Sequence, residues 1–315
     1  MLKGIMPVLP TIFGQDGAID ERGTQTVLDY VVAAGAAGVV FPGLASEYDC
    51  LSHDERMHLT ARVGEWLGGR VPLVIGASAT KQDDVITLAR AGAAAGAAAA
   101  MILTPSDLAG DIPAMARFYA AVHAQAGIAI MVQNAPAPMG IGLPLERVAE
   151  LVRAVEGIRY VKEEAAPSGQ RITRLTNLAG DSLDAVFGGA GARYLIDELL
   201  RGARGSMPAC EITELHVAMM ARFEAGDEAG ARDLFERTLP LLSMQAIFRW
   251  RLTKAVLMRR GLIASDHVRA PGPALDRQDR AELDTLLTRL GDLLPLDRVP
   301  GSASAEGKSP ANLNL

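Results

Sequence analysis

The chain has 315 residues, 49% of them hydrophobic and only 4% aromatic, with 31 Lys and Arg against 37 Asp and Glu for a net charge of −6. That length supports a large core in one or two domains, and the acidic balance argues against a nucleic-acid surface or a polybasic membrane patch. Two cysteines, Cys50 and Cys210, are too few for a disulfide framework and suit a reducing compartment.

The N-terminal stretch "MLKGIMPVLPTIFG" carries Pro7 and Pro10, lacks the apolar run of a signal peptide, and holds a first short apolar run at 5–9. Further β-rich runs follow at 38–41, 72–75, 99–103, 128–132, 158–161, 183–187 and, more weakly, 204–207. None alternates cleanly with polar residues, as expected of strands covered on both faces. Helical periodicity fills the gaps at 21–34, 53–67, 81–94, 112–124, 145–152, 170–178 and 192–200. Ser52 with Glu55 predicts a capping box at the start of the second helix, and Pro144 marks the start of the fifth. The longest apolar stretch, "AGAAAGAAAAMILTP", is mostly Ala and Gly and stops at Pro105, too short to span a bilayer.

Eight strands in strict alternation with helices predict an α/β fold, a (β/α)8 TIM barrel with a C-terminal helical extension. A doubly wound open sheet is the rival. Against it, no G-x-G-x-x-G follows the first strand, and "GGAGAR" at 188–193 lies late in the chain. The expected organisation is a catalytic barrel over 1–222, a helical extension over 223–295, and a tail over 296–315 that is low in bulky apolar residues and expected to be disordered.

A barrel of this kind carries its active site at the C-terminal ends of its strands. Those ends read "GLASE", "LTPSD", "MVQNAP", "YVKEE" and "GSMP". Lys162 ends the sixth apolar run. Desolvation in a barrel mouth disfavours an ammonium and frees the amine to attack a ketone. The plainer alternative is a solvated lysine paired with Glu163 or Glu164. No histidine sits at metal-ligand spacing: His53 and His58 are i,i+5 on a helix, off a shared face. No metal and no cofactor are expected.

From "PVLPTIF" to the helical extension the chain resembles the dihydrodipicolinate synthase/N-acetylneuraminate lyase family. The family's G-T-T-G-E stands here as Gly43-Leu44-Ala45-Ser46-Glu47, followed by Leu51 and Asp54-Glu55; its Y-N-x-P stands as Gln133-Asn134-Ala135-Pro136; its Schiff-base strand ends in Val161-Lys162-Glu163. Each motif alone is weak, and the three at this spacing are specific. The resemblance implies an imine on Lys162. It also implies a turn at Gly43, Ala45 and Ser46 that binds an α-keto-acid carboxylate through amides and the Ser46 hydroxyl. Glu47 is expected to tie that turn down, and Ser206 on the eighth strand is a further substrate contact or simply a strand end.

The departures from the family narrow the chemistry. The family's proton-shuttling tyrosine is Gln133, its two threonines are Leu44 and Ala45, a tyrosine pair is Ser106-Asp107, and the arginine for a second carboxylate aligns with Pro138. An amide has no titratable proton near neutral pH, so the lysine-biosynthesis reaction and retro-aldol cleavage are disfavoured. Dehydration of a 2-keto-3-deoxy sugar acid remains, with Glu164 as acid/base two residues beyond Lys162 on the same face and Gln133 holding a water. V-F-P-G-x-A-S-E-Y-D together with Gln133 resembles the L-2-keto-3-deoxyarabonate dehydratase branch, which yields 2,5-dioxopentanoate. The alternatives are a pyruvate-dependent class I aldolase of the same family and a non-catalytic sugar-acid-binding protein. The expected partner is a small 2-keto acid, with no nucleic acid and no membrane. The few cysteines, the lack of a signal-peptide run and the lack of a bilayer-length apolar stretch lead us to expect a soluble cytoplasmic protein, and the resemblance further implies a homotetramer.

Overall fold

The computed structural model describes residues 1–294; the expected tail over 296–315 lies outside the described residues. Eight parallel strands alternate with helices. In chain order they run β1 (Gly4–Ile5), α1 (Glu21–Ala33), β2 (Val39–Val40), α2 (His53–Leu67), β3 (Leu73–Gly76), α3 (Gln82–Ala94), β4 (Ala99–Leu103), α4 (Ile112–Ala126) and β5 (Ala129–Asn134). They continue through α5 (Leu145–Ala154), β6 (Ile158–Glu163), α6 (Ser168–Ala179), β7 (Ala185–Phe187), α7 (Leu195–Leu200) and β8 (Gly205–Ser206) to α8 (Thr213–Glu224). The C-terminal helices α9 (Glu228–Phe248), α10 (Trp250–Arg259) and α11 (Arg277–Arg289) follow.

Strands β2 to β7 pair in chain order in one six-stranded sheet, and β1 pairs with β8. Single bridges, Val8 to Val40 and Gly188 to Ser206, join the two sheets at both ends. The order and direction of the strands fit the expected TIM-barrel fold, a curled parallel sheet with helices outside it. The expected capping box is formed: Ser52 Oγ accepts from the Glu55 N–H at 3.1 Å, and Glu55 Oε2 accepts from the Ser52 N–H at 2.9 Å.

Period-two alternation divides each strand between two cores. Met6, Val8, Val40, Met101, Met131 and Phe187 pack together on the inner face of the sheet. The intervening residues, such as Val132, Val161 and Val186, face outward into the layer shared with the helices. A separate cluster fastens α8 to α11 against Ile5 and against Leu195 and Leu199 of α7. The expected boundary at 222 falls within α8, which runs unbroken to Glu224. Among the described residues no helix is long and apolar enough to cross a membrane.

Candidate active site

The site grows from the ends of β5 and β6. Gln133 and Lys162 are cross-strand partners in the parallel ladder, so their side chains leave the sheet on one face, the face of Met131 and Tyr160. Lys162 is 4% exposed and Gln133 3%. Glu164, just beyond the strand, turns back to the same face. Its Oε1 lies 3.2 Å from Lys162 Nζ, and its Oε2 accepts from Gln133 Nε2 at 2.6 Å. The three side chains named from the sequence are therefore one connected unit: an amine, a carboxylate paired with it and an amide that donates to the carboxylate.

Lys162 and Glu164 open on a cavity of about 240 Å³, room for one small acid. Leu44 and Ala45 line its other side. They begin a 310 turn, Leu44–Ser46, whose leading N–H groups have no partner within the turn.

Two residues expected at the substrate lie elsewhere. Ser46 is fully buried beneath the turn. Its hydroxyl donates to the Leu9 carbonyl and accepts from the Gly43 N–H at 2.8 Å, so it braces the turn and has no proton left for a ligand. Gly43 is thereby tied to Ser46 as well. Ser206 occupies the outward position on β8, and its neighbour Met207 is the one that reaches the cavity. Strand alternation is the reason: a residue whose neighbour faces in must itself face out.

The turn is held from below by Glu47, the residue expected to tie it down, through a partner that the sequence did not point to. Glu47 adopts φ 57 and is fully buried, with Lys254 Nζ of α10 donating to its Oε1 at 2.6 Å and the Ala270 N–H to its Oε2 at 2.8 Å. Burial pushes the Lys254 pKa down, and the Glu47 charge opposes that shift. Behind β6 a second network fixes the strand end. Asn134 Nδ2 donates to Glu163 at 2.8 Å and Arg171 Nε at 2.9 Å. Arg193, Gln245, Arg249 and Trp250 complete the cavity. No motif pointed to them, because they come from a turn and from the helical extension. Among the described residues no group of three or more His, Cys, Asp or Glu is arranged to hold a metal ion.

Residues 1–290 match the dihydrodipicolinate synthetase family. L-2-keto-3-deoxyarabonate dehydratase of Azospirillum brasilense is 30% identical over 298 residues, covering 93% of this chain and 96% of that protein. A 4-hydroxy-tetrahydrodipicolinate synthase of Methanothrix thermoacetophila is 28% identical, covering 93% of this chain and 98% of that protein. Among solved structures, YagE of Escherichia coli K12, a prophage protein of the dihydrodipicolinic acid synthase family in complex with pyruvate, superposes with a TM-score of 0.85 at 25% identity. That match covers 92% of this chain and 99% of that one.

Proposed function

We propose that this chain, which belongs to the dihydrodipicolinate synthetase family, dehydrates a 2-keto-3-deoxy sugar acid through a Schiff base on Lys162, with L-2-keto-3-deoxyarabonate as the substrate and 2,5-dioxopentanoate as the product. The observation that carries the proposal is the Lys162–Glu164–Gln133 unit: a buried amine 3.2 Å from a carboxylate, with an amide where the family has a phenol. The likeness to the Azospirillum dehydratase supports the choice of substrate. The bridges at Val8 and Gly188 support reading the two sheets as one closed barrel over 1–222, buttressed by the helices after it. We take the molecule to be cytoplasmic, on its cysteine usage, and a homotetramer, as the family resemblance implies.

In this mechanism the N–H groups of Leu44 and Ala45 hold the C1 carboxylate, since preorganised donors keep the ketone beside the amine. Lys162 adds to C2 and water leaves, giving an iminium that acidifies C3. Glu164 takes a C3 proton and returns it to the C4 hydroxyl, which departs as water. Gln133 holds Glu164 in line, together with a water. Loss of a C5 proton and protonation at C3 give a C4–C5 enol, which becomes the aldehyde; hydrolysis of the imine frees the product and Lys162.

The test is borohydride reduction with a panel of 2-keto-3-deoxy acids, followed by peptide mass mapping. The expected adduct is sugar acid minus water on the Lys162 peptide, and Lys162→Ala should abolish turnover. A pyruvate-sized adduct from the sugar acid would assign aldol cleavage instead. No adduct with any keto acid would leave only a binding protein.

A further inference from the structure

The strand end beside Lys162 is built around two consecutive glycines. Gly188 and Gly189 follow β7, whose Phe187 is the ladder partner of Lys162, and alternation aims the two positions at opposite faces of the sheet. On the inner face a Cβ at Gly189 would lie 2.5 Å from Glu164 Oε1. On the outer face a Cβ at Gly188 would lie 1.8 Å from Oε2 of Glu198, a residue of α7. Two carboxyl groups thus press on one backbone segment from either side, and neither position has room for a side chain.

Glu198 is fully buried. Its Oε1 accepts from the Ser168 hydroxyl of α6 at 2.7 Å, while nothing among the described residues donates to Oε2. Ser206, the bridge partner of Gly188 and so on the same outer face, has a buried hydroxyl that is also without a partner. A carboxylate here would lose the solvation of Oε2 with no donor in return, so the compartment favours the neutral acid. Burial accordingly raises its pKa from 4.5 to about 7; the Ser168 bond opposes the rise, the charges of Glu164 and Asp197 add to it, and that of Lys162 opposes it. Asp197 is itself bonded to Arg201 at 2.8 Å, so the charges facing Glu198 across the glycines are those of Lys162 and Glu164.

Such coupling runs both ways. An ionised Glu198 would place a second negative charge behind Glu164. That charge would favour the ammonium of Lys162 over the free amine that attacks the ketone, and would hinder release of the Glu164 proton to the C4 hydroxyl. We infer that Glu198 is a positioning residue of the dehydration: as a neutral acid behind the Gly188–Gly189 segment it keeps the Lys162–Glu164 pair ready for imine formation, and its ionisation turns the site down. The inference rests on Lys162 as the imine-forming residue. Glu198 gains or loses one proton and makes no bond to the substrate.

The experiment measures the rate of cyanoborohydride trapping of pyruvate on Lys162 as a function of pH, well below the melting transition, in the wild type, Glu198→Gln and Ser168→Ala. The ratio of two such rates cancels the reagent's own pH dependence. The wild type and Glu198→Gln should agree at pH 6, where both side chains are neutral. At pH 8 Glu198→Gln should be faster by on the order of tenfold, the effect of one unit charge across about 10 Å of protein. Ser168→Ala keeps the carboxyl and removes a bond that favours its charged form, so the wild-type slowing should move to higher pH. Proportional profiles of the wild type and Glu198→Gln, whether equal or uniformly displaced, would overturn the inference and leave Glu198 a packing residue. Should Glu198→Gln fail to fold, an unshifted profile in Ser168→Ala overturns it instead. Absence of trapping in the wild type at every pH would sink the imine and this inference with it, whereas trapping with proportional profiles sinks this inference alone.

Discussion

Glu163 and Glu164 are adjacent in sequence, yet strand alternation sends them to opposite faces of the sheet. Glu163 is fully buried on the outer side and accepts from Asn134, Arg171 and the Ala165 N–H, which leaves it no freedom to exchange a proton with a ligand. Glu164 keeps its carboxylate at the cavity, its side chain only 8% exposed. The position of that carboxylate depends on a glycine across the sheet. A Cβ at Gly189 would sit 2.5 Å from both Cγ and Oε1 of Glu164, closer than such atoms approach, so Gly189→Ala must push Glu164 away from Lys162. Misplacement by about 1 Å can cost on the order of a hundredfold in rate. We therefore expect kcat for dehydration to fall by about that factor in Gly189→Ala, with the circular-dichroism spectrum of the wild type retained. A variant with wild-type kcat would remove Glu164 from the chemistry.

Helix α10 and the segment after it grip the second βα loop at several points. Lys254 holds Glu47 from below; the His267 carbonyl accepts from the same ammonium at 2.9 Å; Arg269 bonds Glu55 through two 2.9 Å contacts and the Cys50 carbonyl at 3.3 Å. The extension is thus part of the support for the turn that lines the cavity. Removing one partner of a buried pair strands the other charge, at a cost of about 3–5 kcal/mol. Lys254→Met should lose that much stability in denaturant titrations and raise KM for the keto acid, while Lys254→Met combined with Glu47→Gln should regain a large part. A single variant as stable as the wild type would show that the pair supports nothing. The turn itself was legible in the sequence, because a capping box and a small-residue motif are local signals. Glu47 was legible as the residue that ties it down, but its partner was not: Lys254 is 207 residues away, and no periodicity links the two. Strand positions were readable from apolar runs within one or two residues, except the first, which was expected over 5–9 and ends at Ile5. The face each side chain took was readable only where a neighbour declared it, which is why Lys162, Gln133 and Glu164 converge as expected while Ser46 and Ser206 point away from the cavity. Arg193 and Arg249 follow no pattern in their own segments, and only the folding of the extension over the sheet brings them to the cavity.

At the scale of the whole molecule, three buried groups of the C-terminal half, Glu198, Glu211 and His216, make stability depend on pH. Glu198 and Glu211 are each at most 1% exposed, and each has one carboxyl oxygen without a hydrogen-bond partner. Burial raises both from 4.5 to about 7. Between those values the folded chain retains protons that the unfolded chain has released, so stability present below pH 4.5 is lost as the pH rises through 7. Each group accounts for about 3 kcal/mol over that window. His216 works in the other direction: burial lowers it from 6.5 to about 4, so its share is present above pH 6.5 and lost as the pH falls through 4. Two glutamates against one histidine fix the sign between pH 4.5 and 6.5, and above 6.5 the glutamates act alone. Glu21 and Glu55, held low by His58 and Arg269 respectively, contribute only as the pH falls below 4.5. The wild type should therefore melt at a higher temperature at pH 5 than at pH 8 by calorimetry. Glu211→Gln, an isostere of the protonated side chain, should gain stability at pH 8 and little at pH 5, flattening the profile; Glu198→Gln should do the same, with the Ser168 hydroxyl still able to donate to the amide oxygen in place of its 2.7 Å bond to Glu198 Oε1. A wild-type midpoint at pH 8 equal to or above that at pH 5, with no gain in either variant, would mean that water reaches both carboxyls and keeps them ionised.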